Sequence, residues 1–189
     1  MGTEAKPFLK WAGGKGQLLS QLAEYLPKEI SEKPISYIEP FVGGGAMLFY
    51  ILQHYSNIRK AVINDVNEDL ILTYRIIKDD VESLIANLNK LEKDYLAIAD
   101  QEGRSQVYYE VRERYNQHIG DSIERASQLL FLNKTCFNGL FRVNRRGLFN
   151  VPFGKYTNPT ICNAAVLRAD SELLQSVQEE ICQGNYTQT

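Results

Sequence analysis

The sequence has few of the residues that build metal or disulfide sites. Its three cysteines, Cys136, Cys162 and Cys182, are far apart, form no Cys-x-x-Cys pair, and are accompanied by only two histidines. An odd, widely spaced set of this kind predicts neither structural zinc nor a disulfide framework. We therefore expect no metal and interpret each thiol as a small buried side chain.

Long hydrophobic runs are also missing. No run approaches the roughly 18 apolar residues of a membrane span, and the N-terminus over 1–6 lacks the apolar segment of a signal peptide. The sequence thus predicts a soluble cytoplasmic protein without a membrane partner. Its 189 residues, 44% hydrophobic, suffice for a globular unit with an inserted subdomain.

One segment, residues 133–156, has no acidic residue. It does contain five basic ones: Lys134, Arg142, Arg145, Arg146 and Lys155. The segment therefore carries +5 and the rest of the chain −7. A basic segment in an acidic protein is expected where one face meets a polyanion such as nucleic acid.

The spacing of apolar residues predicts an α/β pattern at both ends of the chain. The predicted elements are a helix over 17–26, a strand over 35–39, a turn over 40–45, a helix over 46–55, a strand over 60–64, a helix over 164–174 and a strand over 180–182. Apolar stripes over 70–77, 81–95, 108–115 and 123–133 predict four amphipathic helices between these parts. We interpret these four helices as an inserted helical subdomain.

The first motif is a glycine-rich turn, Phe41–Gly45, between a predicted strand and a predicted helix. Glycines allow a ligand close to the backbone, and Asp65 at the end of the next strand could accept bonds from ribose hydroxyls. The third glycine of a dinucleotide fingerprint is replaced by Leu48, which favours an adenosine cofactor without phosphates. The alternative is a tight turn with a solvated aspartate.

The second motif is Lys10–Gly16, which contains the only tryptophan, Trp11. A phosphate-binding Walker loop is rejected because Lys15 is followed by Gly16 and because Leu9 stands where the first glycine would be. The turn is suited to pack against an adenosine and to bind a carboxylate. The alternative is a capping turn before the first helix.

The third motif is the basic stretch over 133–155, where aromatics and amides alternate with Arg and Lys. Arg and Lys can contact phosphates, Arg can bind guanine bidentately, and Asn can pair with a base edge. Phe137 or Leu140 could be inserted between stacked bases. The alternative is a solvated, glycine-rich loop.

Together these motifs resemble the Dam-type DNA adenine-N6 methyltransferases, the D12 class of the alpha group. Phe-Leu-Lys-Trp-Ala-Gly-Gly-Lys, Pro-Phe-Val-Gly-Gly-Gly and Asn-Gly-Leu-Phe-Arg-x-Asn-x-x-Gly-x-Phe-Asn-Val-Pro-Phe-Gly occur in the family's order and spacing. The resemblance extends from Phe8 to about Tyr186. It implies a Rossmann-like α/β methyltransferase sheet with a cofactor-binding part over 1–66, a helical target-recognition domain over 67–158, and an incomplete return to the α/β domain over 159–189.

The resemblance also implies a cofactor, a partner and their contact residues. S-adenosyl-L-methionine, or its product S-adenosyl-L-homocysteine, would be bound by Trp11, Ala12, Gly13, Lys15, Phe41, Val42, Gly43, Gly44, Gly45, Asp65 and Val66, with Asp65 on the ribose. Double-stranded DNA would be contacted by Lys10, Phe137, Asn138, Leu140, Arg142, Asn144, Arg145, Arg146, Pro152 and Lys155.

Specific roles follow for some of the DNA-contacting residues. By resemblance, Lys10, Leu140 and Arg142 read bases, and the family pattern at these positions implies the sequence GATC. Asn138 would face the orphaned partner of the extruded adenine, and Phe137 would fill the vacated stack.

The sequence departs from the family at the catalytic motif. The family polarises the adenine amine with an Asp-Pro-Pro-Tyr loop, whereas no two prolines are adjacent here and Asn158–Ile161 is interpreted as a turn. We assign no catalytic residue, expect the chain to stop before that loop, and expect no methyl transfer from these 189 residues. A non-catalytic binding module and a cytosine-N4 methyltransferase remain alternative functions. The missing third glycine and the basic stretch oppose a nucleotide-linked oxidoreductase. The sequence does not indicate an oligomeric state.

Overall fold

The computed structural model of the chain describes residues 3–188 and, within them, every side chain except those of Lys15, Gln17 and Gln188. In chain order the regular elements are α1 (Leu19–Glu24), β1 (Ile35–Glu39), α2 (Ala46–His54), β2 (Ile58–Asp65), α3 (Glu68–Asp79), α4 (Val81–Leu96), α5 (Gln101–Asn116), α6 (Ser122–Thr135), α7 (Ala164–Gln175) and β3 (Gln178–Gln183). Single 3-10 turns occur at Lys15–Leu18, Lys28–Ser31, Phe137–Gly139 and Tyr186–Gln188. The α/β class is therefore confirmed.

The first helix differs most from its predicted extent of 17–26. Lys15–Leu18 forms a 3-10 turn, and the α-helix is limited to Leu19–Glu24. No residue of α1 is buried, so tertiary packing adds little to the stability of such a short helix.

The five later helices begin at positions where a side chain caps the first turn. The capping residues, each accepting a bond from a backbone N–H three residues later, are Asn67, Asp80, Asp100, Asp121 and Asn163. Such caps satisfy N–H groups that have no partner within the helix. Their spacing explains why the long helical stretch divides into separate α3, α4, α5 and α6.

The three strands form one parallel sheet in the order β1-β2-β3. Glu39 at the end of β1 is opposite Ile63, and Asp65 at the end of β2 is opposite Gln183. All three strands therefore end at the same edge of the sheet. This is the edge at which open α/β sheets bind ligands.

The hydrophobic core is continuous between the sheet and the helices. Helix α3 packs against β2 and β3 and also against α6 and α7. Its Tyr74 is fully buried, and the Tyr74 ring lies edge-on to Phe8 with the centroids 4.9 Å apart. The inserted subdomain and the boundaries at 66/67 and 158/159 remain predictions.

Three further observations concern the residues that the structure describes. Cys136 and Cys162 are buried as interpreted, but Cys182 on β3 is partly exposed. Within residues 3–188 no helix is both long and apolar enough to cross a bilayer. The same residues contain no cluster of three or more His, Cys, Asp or Glu side chains that could hold a metal ion.

Candidate functional site

A cavity of about 880 Å³ opens where β1 and β2 end. Its volume is in the range of about 300–1,000 Å³ that is usual for small-molecule sites. Of the predicted cofactor residues, the cavity is lined by Trp11, Ala12, Gly13, Phe41, Val42, Gly43, Gly44 and Asp65. Gly45 and Val66 do not line it, and the Lys15 side chain lies outside the described part of the chain.

The glycine-rich turn is fixed by hydrogen bonds to the end of β2 and to α3. Both oxygens of Asp65 accept backbone bonds, one from the Gly43 N–H at 3.1 Å and one from the Asn67 N–H at 3.0 Å. The Tyr74 hydroxyl donates to the Gly43 carbonyl at 3.0 Å. Since each carboxylate oxygen can accept more than one bond, Asp65 can hold the turn and still accept from a ligand.

Two of the glycines are required by close packing. A Cβ on Gly45, where φ is +78°, would be 2.4 Å from the Tyr74 hydroxyl oxygen, and one on Gly43, where φ is +50°, would be 2.8 Å from Cδ1 of Trp11. Neither conformation suits other residues. The absence of a side chain at Gly45 thus lets Tyr74 pack against the turn, and its absence at Gly43 lets Trp11 pack against the cavity wall.

Glu39 is a buried acid in the cavity that the sequence reasoning missed. It is 5% exposed, ends β1 and accepts a bond from the Tyr37 hydroxyl at 2.8 Å. Burial first, and the Glu39 charge second, raise the pKa of Tyr37 well above its usual value. The sequence could have indicated Glu39, because an acid at the end of a predicted strand is expected to lie beside the end of the neighbouring parallel strand, here that of Asp65.

An aromatic pair extends the wall of the cavity. The exposed ring of Phe41 lies 5.2 Å, centroid to centroid, from that of Tyr186. Tyr186 follows β3 and belongs to none of the three sequence motifs, so the sequence did not predict its contact with Phe41. The neighbouring Val66 is 75% exposed and leaves apolar surface at the same edge of the sheet.

The Lys10–Trp11 segment joins the cavity to the basic stretch over 133–155, whose part after α6, residues 136–155, is the basic loop. The Trp11 ring stacks on Phe141, with centroids 4.6 Å apart and planes inclined by 22°. Lys10 lines the cavity and is also bonded, through its backbone, to Asn133 at the end of α6. Phe141 and Asn133 belong to the basic stretch, so the second and third motifs are in direct contact.

The basic loop is held in shape by short antiparallel bridges and by side chains of α5. Bridges pair Cys136 with Phe153 and Val143 with Phe149. From α5, the Tyr108 hydroxyl donates to the Val151 carbonyl at 2.8 Å. The loop is therefore irregular in backbone form but attached to the core at several places.

Most of the predicted DNA residues are exposed on this loop. Phe137 and Leu140 are 50% and 42% exposed, and the exposed polar and basic residues are Asn138, Arg142, Asn144, Arg145, Arg146 and Lys155. Pro152 is exposed too, and its carbonyl accepts from the Phe137 N–H at 2.8 Å. The structure thus presents these residues on one segment.

Two of the loop residues have partners within the loop. The Arg142 guanidinium donates to the Asn150 side chain at 2.8 Å and to its carbonyl at 3.3 Å. The Asn144 side-chain oxygen accepts from the backbone N–H groups of Arg146 and Leu148. Asn144 therefore shapes the turn in which Arg145 and Arg146 lie.

Lys134 is a second residue that the sequence reasoning did not place in the cavity. It is half-buried and lines the cavity beside Lys10. Burial, and next the charge of Lys10, lower the pKa of Lys134. Two lysines at one wall make that side of the cavity suitable for an anionic group.

Comparison with known proteins decides which family this arrangement represents. Residues 11–189 match the profile of the family described as D12 class N6 adenine-specific DNA methyltransferase. The chain belongs to this family. The Dam-type resemblance is thereby confirmed, and the match includes the helices, the basic loop and the cavity lining from Trp11 onward.

Individual relatives agree with the family assignment. The type II methyltransferase M.MjaIII of Methanocaldococcus jannaschii is 52% identical over 178 residues, which are 93% of this chain and 61% of that protein. The type II methyltransferase M1.LlaDCHI of Lactococcus lactis subsp. cremoris is 37% identical over 188 residues, 96% of this chain and 59% of that protein. The DNA adenine methylase of Escherichia coli K12 is 36% identical over 154 residues, 82% of this chain and 49% of that protein. The chain thus spans about half to three fifths of the length of these relatives.

Proposed function

We propose that the protein methylates the N6 amine of adenine in double-stranded DNA, at GATC, with S-adenosyl-L-methionine as methyl donor. The observation that carries the proposal is the contact between the cavity and the basic loop at Lys10 and Trp11. A ligand in the cavity and a duplex on the loop would share this segment. That proximity is what transfer between a small molecule and a base requires.

The cavity suits an adenosine cofactor without phosphates. Asp65 lies at the end of β2 with lone pairs available for ribose hydroxyls, and Trp11 and Phe41 supply apolar walls. The Gly43–Gly44 backbone has no Cβ to exclude a ligand. When bound, S-adenosyl-L-methionine would supply an electrophilic methyl group; this chain's residues would bind and orient it.

The basic loop suits a duplex from which one base has been extruded. Phe137 and Leu140 are exposed apolar side chains next to Asn138, and an enzyme that modifies a base must unstack it first. Arg142 is oriented by Asn150 and could donate to a guanine edge. Arg145, Arg146 and Lys155 would bind phosphates.

We assign no residue of this chain to polarising the adenine amine, because the sequence contains no adjacent prolines and hence no Asp-Pro-Pro-Tyr loop. This observation favours a second candidate function, a module that binds cofactor and DNA without catalysis. The two proposals share every binding residue named above. They differ only in the chemical step.

One set of measurements separates these proposals. Calorimetry would measure the affinity for S-adenosyl-L-homocysteine, fluorescence anisotropy the affinity for GATC and scrambled duplexes, and tritium incorporation the transfer to DNA. Binding of both ligands without transfer is what the missing Asp-Pro-Pro-Tyr loop predicts for these 189 residues, and it supports the module. Binding of both with transfer supports the enzyme and would mean that residues other than such a loop polarise the adenine amine. No affinity for S-adenosyl-L-homocysteine would contradict both proposals, and equal affinity for the two duplexes would contradict GATC as the target.

A further inference from the structure

Asn133 bonds to two separate parts of the proposed site. It is the next-to-last buried residue of α6 and is 3% exposed. Its side-chain oxygen accepts from the Lys10 N–H at 2.9 Å, and its side-chain nitrogen donates to the carbonyls of Lys10 at 2.8 Å and Gly139 at 3.0 Å. One carboxamide therefore fixes the cavity segment and the turn that carries Phe137 and Asn138.

Two more contacts join the same segments. Gly139, at φ +64°, lies so close to Lys10 that a Cβ there would be 2.6 Å from the lysine Cδ. Trp11 stacks on Phe141 two residues further along the loop. The cavity segment and the loop thus meet through hydrogen bonds, a close backbone approach and an aromatic stack.

We infer that Asn133 is a positioning residue that couples cofactor binding to DNA binding. The inference rests on the proposed function, since it assumes that the cavity holds the cofactor and that the loop holds the duplex. A cofactor in the cavity restricts the motion of Lys10 and Trp11, and the Asn133 hydrogen bonds restrict Gly139 as well. A duplex on the loop orders Gly139, and the same carboxamide transmits that order to Lys10.

The coupling is positive and reciprocal. The ligand that binds first orders the junction, so the second ligand loses less conformational entropy when it binds. Thermodynamic linkage then requires each ligand to raise the affinity for the other by the same factor. Without the carboxamide, only the close approach of Gly139 to Lys10 and the stack of Trp11 on Phe141 join the segments, and the factor falls towards one.

The chain offers a matched control in Asn116. This α5 residue makes the same reciprocal pair with a loop backbone, accepting from the Phe149 N–H at 2.8 Å and donating to the Phe149 carbonyl at 3.0 Å. It holds the far side of the loop and has neither of the Asn133 bonds to Lys10. Asn116→Ala therefore loosens the loop without cutting its link to the cavity segment.

The experiment measures a coupling factor for the full chain and three variants. The affinity for S-adenosyl-L-homocysteine is determined with and without a saturating GATC duplex, and the duplex affinity with and without saturating S-adenosyl-L-homocysteine. Trp11, the only tryptophan, gives a fluorescence signal at the junction. We expect a factor of at least about fivefold in the unaltered chain, within the usual range for coupled sites, and less than twofold in Asn133→Ala.

The variants keep the inference testable if one of them is unstable. Phe141→Leu removes the stack on Trp11 and leaves the Asn133 bonds in place, so its factor should fall only in part. Asn116→Ala should weaken DNA binding but keep the full coupling factor. If Asn133 had a merely structural role, Asn133→Ala would behave in the same way. An unaltered chain that binds both ligands independently, or an Asn133→Ala variant with the original factor, would overturn the inference. If the unaltered chain binds neither ligand, the proposed function itself fails.

Discussion

At the scale of single residues, Asp65 gives the most direct test of the cofactor site. Its carboxylate is proposed to bind the ribose while it holds the Gly43 and Asn67 N–H groups. Asp65→Ala should weaken S-adenosyl-L-homocysteine binding by about 1–3 kcal/mol through loss of charge-assisted bonds. Asp65→Asn, which keeps the size and one acceptor, should lose less. Calorimetry that finds an unchanged affinity for the alanine variant would remove Asp65 from the site.

Arg142 and its basic neighbours should differ in how they affect sequence preference. All three arginines are exposed, but Arg142 is oriented by the Asn150 side chain, whereas Arg145 and Arg146 lie in the turn shaped by Asn144. Arg142→Ala should cost about 1–3 kcal/mol on a GATC duplex and less on a scrambled one. Arg145→Ala should weaken both duplexes alike. Anisotropy titrations showing equal losses on both duplexes for Arg142→Ala would contradict its base-reading role.

We expect Asp170 to make the stability of the fold depend on pH. Burial raises the pKa of this α7 carboxyl to about 8, although the Lys6 N–H donates to it at 2.9 Å and Lys134 is nearby. The folded chain therefore holds the proton more tightly than the unfolded chain, whose aspartates have a pKa of about 4. The stability that this proton contributes is complete below pH 4 and is lost as the pH rises towards 8.

The corresponding test is Asp170→Asn, which keeps an acceptor for the Lys6 N–H and cannot ionise. Urea denaturation should show the variant more stable than the unaltered chain at pH 8 by at least about 1 kcal/mol, with a smaller difference at pH 5. Burial also raises the pKa of Glu179, to about 7, so some pH dependence should remain in the variant. A pH dependence identical to that of the unaltered chain would show that Asp170 ionises normally in the fold.

At the scale of elements, the turn between β1 and α2 depends on the absence of a side chain at Gly45. Gly45 and Gly147 both have φ +78°, but a Cβ on Gly147 would meet no atom within 4 Å, whereas one on Gly45 would be 2.4 Å from the Tyr74 hydroxyl oxygen. Both alanine variants carry a backbone strain of roughly 1–2 kcal/mol. Gly45→Ala should cost about 1–3 kcal/mol more than Gly147→Ala because it also overpacks the core.

Urea denaturation of the two variants measures this difference directly. Adding Tyr74→Phe to Gly45→Ala removes the hydroxyl that the new methyl group would meet and should recover part of the lost stability. If the two glycine variants are equally stable, the close approach of Tyr74 to the turn is not a constraint on the fold.

The elements themselves were largely predictable from the sequence. The strand over 35–39 agrees with the structure, and most helix ends follow from capping residues such as Asp121, whose side chain and that of Glu124 bond reciprocally. The predicted helix over 17–26 was longer than α1, because periodicity shows amphipathic spacing but not whether the helix has a surface to pack against. Strands β2 and β3 are longer than predicted because their ends pair with a neighbour that the local sequence does not reveal.

At the scale of the whole molecule, the motifs were predictable but their contacts were not. The turn at 41–45 and Asp65 could be joined from sequence because parallel strands end at one edge. The stack of Trp11 on Phe141 and the bonds from Asn133 to Lys10 join residues more than a hundred positions apart. No local pattern encodes such pairs, since they depend on how α6 packs against the other helices and the N-terminal segment.

The charge distribution of the whole chain leads to the last prediction. The chain is acidic overall at −2, yet the segment over 133–156 carries +5, so DNA affinity should depend on that segment and not on net charge. If Arg145, Arg146 and Lys155 each neutralise a phosphate, the logarithm of the association constant should fall with the logarithm of salt concentration with a slope of about −3. Arg145→Ala should bring the slope about one unit closer to zero.

Arg168→Ala is the matched control, because it changes the net charge by the same amount. Arg168 is on α7 and is paired with Glu82 of α4 at 2.7 Å, outside the basic segment. Its substitution should leave the salt slope unchanged, and S-adenosyl-L-homocysteine binding should depend little on salt in either variant. Anisotropy titrations from 50 to 200 mM salt, roughly the range over which phosphate contacts change affinity most visibly, measure the slopes. Equal changes for Arg145→Ala and Arg168→Ala would mean that the duplex responds to the overall charge of the protein and that the basic loop is not its binding surface.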